Sequence, residues 1–188
     1  MKNNLISSLL ISFWCLLFFC VVYTAAVGGI AWLGAPNHGR GETVSVNGKV
    51  VGYALVGQKF TDDKYFNSRP SAVDYNAAGS GGSNKGATNA DYLQTVADRI
   101  DTFLVHNPGV AKNEIPAELV TASGSGLDPD LTPRAALIQV KRIAALRHID
   151  ENTLTALVNK NTINPALGFW GVPKVNVLKL NIELDNIK

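Results

Sequence analysis

The chain has 188 residues, with 17 Lys and Arg against 15 Asp and Glu, and a formal net charge of +2. No basic stripe or run stands out, which leaves nucleic-acid binding without its electrostatic footprint. Both cysteines, Cys15 and Cys20, fall in one apolar N-terminal run, so no disulfide framework is expected in the rest of the chain.

That run comes first. Between Lys2 and Arg40 no residue carries a formal charge, and Leu5 to Leu33 read LISSLLISFWCLLFFCVVYTAAVGGIAWL. This exceeds the ~20 apolar residues that a helix needs to cross a bilayer. A helix also satisfies its own backbone polar groups, as hydrocarbon demands. A cleaved secretory signal is the rival reading, with Thr24-Ala25-Ala26 as its cleavage site, but the run is longer than a typical apolar signal core. An uncleaved single-pass anchor over residues 1–34 is expected. It contains no ionisable side chain with which to conduct an ion alone. Small residues recur at four-residue spacing (Ser8 and Ser12, Thr24 and Gly28, Ala25 and Gly29), which allows close helix packing. Cys15 and Cys20 read as apolar filler. A short N-terminal tail stays most simply in the cytoplasm, which puts the soluble part outside it.

Residues 35–42 form a Pro- and Gly-bearing link, and 43–188 a single domain of roughly 150 residues, large enough for a core without staples. Asn47-Gly48 between apolar runs predicts a hairpin over Thr43–Val46 and Lys49–Leu55. Phe60 to Thr88 reads mostly as loop and includes a Gly/Ser tract over 77–86. A helix is expected from Asn89 to His106, with Leu93, Val96, Ala97, Ile100, Phe103 and Leu104 on one face. Ile115 to Ala122 reads as a short strand. Thr132-Pro133 starts a helix running to about Arg147, and Asp150 caps another over Glu151–Asn159. Leu178, Leu180, Ile182 and Leu184 alternate with polar residues, which predicts a last strand over Lys174–Asp185 with a bulge near Val177. The expected class is α+β: one N-terminal transmembrane helix, then an extracytoplasmic domain with a small sheet and packed helices.

Candidate chemistry is sparse. Gly79 to Thr88 (GSGGSNKGAT) resembles a phosphate loop, but Asn84 stands where the glycine before the lysine must be, so a flexible or docking loop is the better reading. Ser123 to Asp130 places Asp128 and Asp130 on a turn before a helix; two carboxylates are too few for a specific calcium site. Gly124-Ser125-Gly126 lacks the spacing of a hydrolase elbow. His38, His106 and His148 have no metal-ligand spacing. Lys141, Arg142 and Arg147 read as a solvated basic face, with contact to an acidic partner or phosphate as the alternative.

Five stretches, in this order, resemble the KdpC family, the C subunit of Kdp-type potassium-transporting ATPases. They are YFNSRPS from Tyr65, GSNKGATN from Gly82, IPAELVTASGSGLDP from Ile115, TPRAALIQV from Thr132 and PKVNVLKLN from Pro173. The resemblance spans nearly the whole chain. Lys85 and Ala87 depart from the family pattern. So does Lys141, where the family usually has proline, and the helix is therefore expected to run on without a kink.

The resemblance implies a bacterial inner-membrane subunit with a periplasmic domain. Its implied partners are a potassium-translocating channel-like subunit and a P-type ATPase subunit. Its implied role is that of a catalytic chaperone that raises ATP affinity, without a hydrolytic site of its own. No tightly bound cofactor is implied; ATP and potassium are handled by the complex. Gln139 matches the segment associated with nucleotide, although a periplasmic domain cannot reach cytoplasmic ATP. Arg69, Pro70, Ser71, Ser83, Asn84, Gly86, Thr88, Asn89 and Asp128 are the expected docking residues. The alternatives are a membrane-anchored extracytoplasmic module that binds a ligand through the Phe60–Thr88 loop, and an anchored hydrolase.

Overall fold

A computed structural model describes residues 2–187; Met1 and Lys188, the outer ends of the expected anchor and domain, lie outside it. The chain divides into two units, one up to Glu42 and one from Thr43.

The first unit is helical throughout its apolar run: α1 (Lys2–Leu16), a π-helical turn (Leu17–Tyr23) and α2 (Thr24–Gly34). In the wide turn the Thr24 hydroxyl donates to the Phe19 carbonyl five residues back, at 3.1 Å. The apolar helix Asn4–Gly34 has 31 residues, none of them buried. At ~1.5 Å per residue it exceeds a hydrocarbon core of roughly 30 Å, so it is long enough to cross one with some tilt. Ala35 leaves the helical region before Pro36, and a left-handed turn at Asn37 and His38 brings the His38 ring onto Trp32, centroids 5.1 Å apart.

The second unit opens with the expected hairpin. Strands β1 (Thr43–Val46) and β2 (Lys49–Tyr53) pair antiparallel around Asn47 and Gly48, both at positive φ as a two-residue hairpin turn requires. A second antiparallel sheet has the order β3 (Asp130–Leu131), β5 (Lys174–Asn176), β4 (Thr162–Ile163). Among the described residues of this unit there are five α-helices: α3 (Ala90–His106), α4 (Pro133–Leu137), α5 (Val140–Arg147), α6 (Glu151–Lys160) and α7 (Val177–Asp185). Helix α6 packs on α4, α5 and α7. The core gathers Ile143, Leu154, Val158, Val175, Leu180 and Leu184 around Phe66, all with no exposed surface.

The caps expected at Thr132 and Asp150 are present, and Asn89 rather than Thr88 caps α3. Asn89, Thr132 and Asp150 each accept a backbone N–H three residues on, starting α3, α4 and α6.

Three expectations need correction. The last strand ends at Asn176, whose side chain accepts the Lys179 N–H at 3.0 Å and caps α7. Val177, Leu180, Asn181 and Leu184 are buried at helical spacing, so the break in alternation at Val177 marks a strand-to-helix transition rather than a bulge. Ile115–Ala122 forms no strand; Ala117–Leu119 is a 3-10 turn after Pro116. Helix α3 keeps its expected face, with Val96, Ala97, Ile100, Phe103 and Leu104 half-buried along it, although Leu93 is 52% exposed. The helix from Pro133 is interrupted at Ile138-Gln139 although no proline is there. The Gln139 side chain donates to the Ala135 carbonyl, the acceptor its own N–H would use in a regular helix, and that N–H bonds Ala136 instead.

Residues 60–70 belong to no strand or helix, yet Phe66 is fully buried. Two side-chain amides make that tolerable. Asn181 accepts the Phe66 N–H at 2.9 Å and donates to its carbonyl at 3.0 Å. Gln139 does the same for Asn67, at 2.8 and 3.2 Å. Burial without these partners would cost about 1–3 kcal/mol per group. Replacing Asn181→Leu is therefore expected to lower unfolding stability by about 2–5 kcal/mol, read by urea denaturation of the full chain in detergent. In the same assay His148→Gly should add about 1 kcal/mol, because His148 holds the left-handed position (φ 56°) that ends α5.

Candidate functional site

The expected docking residues fall on two adjoining stretches. The first is a seam between residues 68–82 and the turn 123–130. Arg69 meets Asp128 at 2.9 Å, with both side chains about a quarter exposed, 23% and 28%. Pro70 offers its carbonyl to the Ser123 N–H, and the Ser71 hydroxyl donates to the Gly126 carbonyl at 2.7 Å. Ser80 and Gly81 both donate to the Ser125 carbonyl. The approach is close: a Cβ at Gly126, which sits at φ 68°, would come within 2.8 Å of the Gly81 carbonyl. Asp128 also accepts the Asp130 N–H, so one carboxylate braces both the seam and its own turn. The Arg69 Nε is buried without a hydrogen-bond partner.

Sequence reasoning missed Tyr75, whose hydroxyl donates to the Arg69 carbonyl at 2.5 Å. Burial pushes its pKa up, which keeps it a neutral donor. No local pattern announces that role.

The second stretch leads into α3. Asn84 is left-handed and exposed, Gly86 offers its carbonyl to the Asn89 N–H, and Asn89 caps the helix. Thr88 is exposed. Ser71 and Ser83 share an open cleft of about 480 Å³ with Lys85, Tyr92, Thr95 and Arg99. A further cleft of about 300 Å³ lies between Phe60 and Phe103, with Asp63, Arg99 and His106 on its walls.

Gln139 joins the seam from beneath, through Asn67, two residues before Arg69. No part of it is exposed. Its oxygen accepts from Asn67 and from Arg142, and its nitrogen donates to Asn67 and Ala135, so both ends of the amide are engaged.

Arg142 is not part of a solvated basic face. Its side chain is 3% exposed, and it bonds Asn107 at 2.9 Å, the carbonyls of Asp63 and Tyr65, and the oxygens of Asn67 and Gln139. Burial lowers its pKa, while Asp63 and Asp62 oppose the shift. Arg147 is also largely covered: it pairs with Asp185 and lies over the Tyr65 ring at 4.8 Å. Lys141 alone of the three is exposed.

Among the described residues, no group of three or more His, Cys, Asp or Glu is placed to hold a metal. What the seam offers is a rigid polar surface.

Similarity to known proteins extends over nearly the whole chain. The family described as "K+-transporting ATPase, c chain", KdpC, matches residues 5–186. A protein of Flavobacterium psychrophilum named "Potassium-transporting ATPase KdpC subunit" is 56% identical over 186 residues, 99% of this chain and 100% of its own length. One of Flavobacterium johnsoniae with the same name is 57% identical over the same shares. Another, of Caldanaerobacter subterraneus, is 48% identical over 164 residues, 87% of this chain and 85% of its own. With nearly every residue matched, the seam and the apolar helix included, this chain belongs to the KdpC family.

Proposed function

We propose that this chain is the accessory, non-catalytic C subunit of an ATP-driven potassium import complex in the bacterial inner membrane. The observation that carries the reading is the full-length match to proteins named as potassium-transporting ATPase KdpC subunits. The apolar helix anchors it in a single pass, with the N-terminus cytoplasmic and the domain periplasmic. Its partners are the potassium-translocating channel-like subunit and the P-type ATPase subunit. ATP and potassium belong to those partners.

Within that complex the chain stabilises the assembly and raises the ATP affinity of the ATPase subunit. The geometry favours an effect through position. A nucleotide could reach Gln139 only by breaking hydrogen bonds that hold the core, and a periplasmic domain stands on the wrong side of the membrane for ATP. The Arg69–Asp128 seam, with the stretch from Ser83 to Asn89, is the partner-facing surface in this reading.

Two outcomes test it. A reporter fused after residue 187 should be active only in the periplasm; cytoplasmic activity would defeat the placement. Omitting the chain should raise the KM for ATP of the remaining pump by roughly 5-fold or more, the lower range of coupling between distant sites. An unchanged KM would remove the effect on ATP and leave the assembly role. At residue level, Arg69→Ala should reduce recovery of the other subunits with a tagged copy in mild detergent, and a matched thermal melt separates docking from simple unfolding.

A further inference from the structure

The segment joining β4 to β5 carries large apolar side chains that the fold does not use. Leu167, Phe169, Trp170 and Val172 are 80%, 78%, 73% and 69% exposed. They crowd onto one small turn rather than being scattered singly, and an exposed apolar cluster of this kind marks a contact surface. The turn is ordered by its own backbone. Ala166 and Trp170 exchange both N–H···O bonds, at 3.1 and 2.9 Å, and Gly168 donates back to Pro165. Leu167 and Gly168 take the left-handed conformation that this requires. The side chains are thus presented before any partner arrives, which lowers the entropic cost of binding.

Charge decides what the tip fits. From Asn161 to Pro173 there is no ionisable side chain. The lysines that flank it are already paired, Lys160 with Glu183 at 3.0 Å and Lys174 with Asp130 at 2.6 Å. A loop built to lie on a bilayer surface combines aromatics with cations free to meet anionic headgroups, and these two are spoken for. A second copy offers a poor socket, because its clefts have charged walls: Asp63 and Arg99 in one, Lys64, Arg147 and Asp185 in another, Lys85, Asp91 and Arg99 in a third, and Lys59, Arg69 and Asp74 in a fourth. A neutral Trp–Phe tip on a fixed turn has instead the make-up of a protein-interface hot spot.

We propose that residues 166–172 are a docking tip that enters an uncharged apolar groove on another subunit of the pump. The inference rests on the reading of the chain as a pump subunit and adds a surface distinct from the Arg69–Asp128 seam.

The experiment uses the full chain, tagged and coexpressed with the other pump subunits. Benzoylphenylalanine replaces Phe169 in one version and Val105, 78% exposed on α3, in another. On irradiation of the purified complex, position 169 should crosslink to one other subunit and position 105 should not. In parallel, the double variant Phe169→Ser with Trp170→Ser should melt like the parent yet associate roughly 30-fold more weakly, the loss expected for a hot-spot side chain. Crosslinking from position 169 only to lipid, or only to a second copy, overturns the proposal. So does undiminished recovery of the other subunits with the double variant, provided the parent recovers them. Failure of the parent itself to recover them sinks the pump-subunit reading and this inference with it.

Discussion

The soluble unit depends on how a stretch of chain without a hydrogen-bond ladder is admitted to its interior. Phe66 and Asn67 bring four backbone polar groups inside, and the amides of Asn181 and Gln139 satisfy all four. At about 1–3 kcal/mol for each unsatisfied group, those bonds prevent a loss comparable to the whole stability of a typical domain. Arg142 completes the arrangement by drawing the carbonyls of Asp63 and Tyr65 onto α5. A buried guanidinium is costly without partners. Here it has five oxygen acceptors and a neighbouring carboxylate, and it remains the cation that organises them.

From that anchorage the rest of the seam follows. From Asn67 the chain runs on through Ser68 to Ser71 across the turn at 123–128. There Arg69 and Ser71 each complete a bond that neither loop would hold alone, and Tyr75 braces their own loop by donating to the Arg69 carbonyl. Loops this long are normally where a domain is softest. This one is fastened at one end by core amides and along its length by the seam, so it presents a surface of fixed shape.

Features governed by local chemistry were legible in the sequence. Asn47-Gly48 specifies its hairpin through left-handed backbone, and Asn89, Thr132-Pro133 and Asp150 start helices with atoms three residues away. Features governed by distant partners were not. Arg142 beside Lys141 looks like a wet charge, because the groups that bury it lie 75 to 79 positions earlier. Residues 177–184 satisfy a period of two and a period of 3.6 at once, and only the Asn176 cap distinguishes them. Arg69 and Asp128 were both singled out, but their pairing across 59 positions could not be read from either stretch. The helix break at Gln139 needed no proline, since the side chain itself takes the ladder's acceptor.

The sealed position of Gln139 bears on how such a subunit would act on ATP. An effect carried by contact requires an exposed group. An effect carried by assembly requires only that this chain bind one state of its partner better than another. Linkage then makes the coupling reciprocal: if the chain raises ATP affinity by some factor, ATP raises the affinity of the pump for the chain by the same factor. A domain suited to this role needs stiffness between its points of attachment, because a compliant one would absorb the difference between states. The amide-pinned segment, the stitched seam and the internally bonded tip at 166–172 supply that stiffness from within the chain.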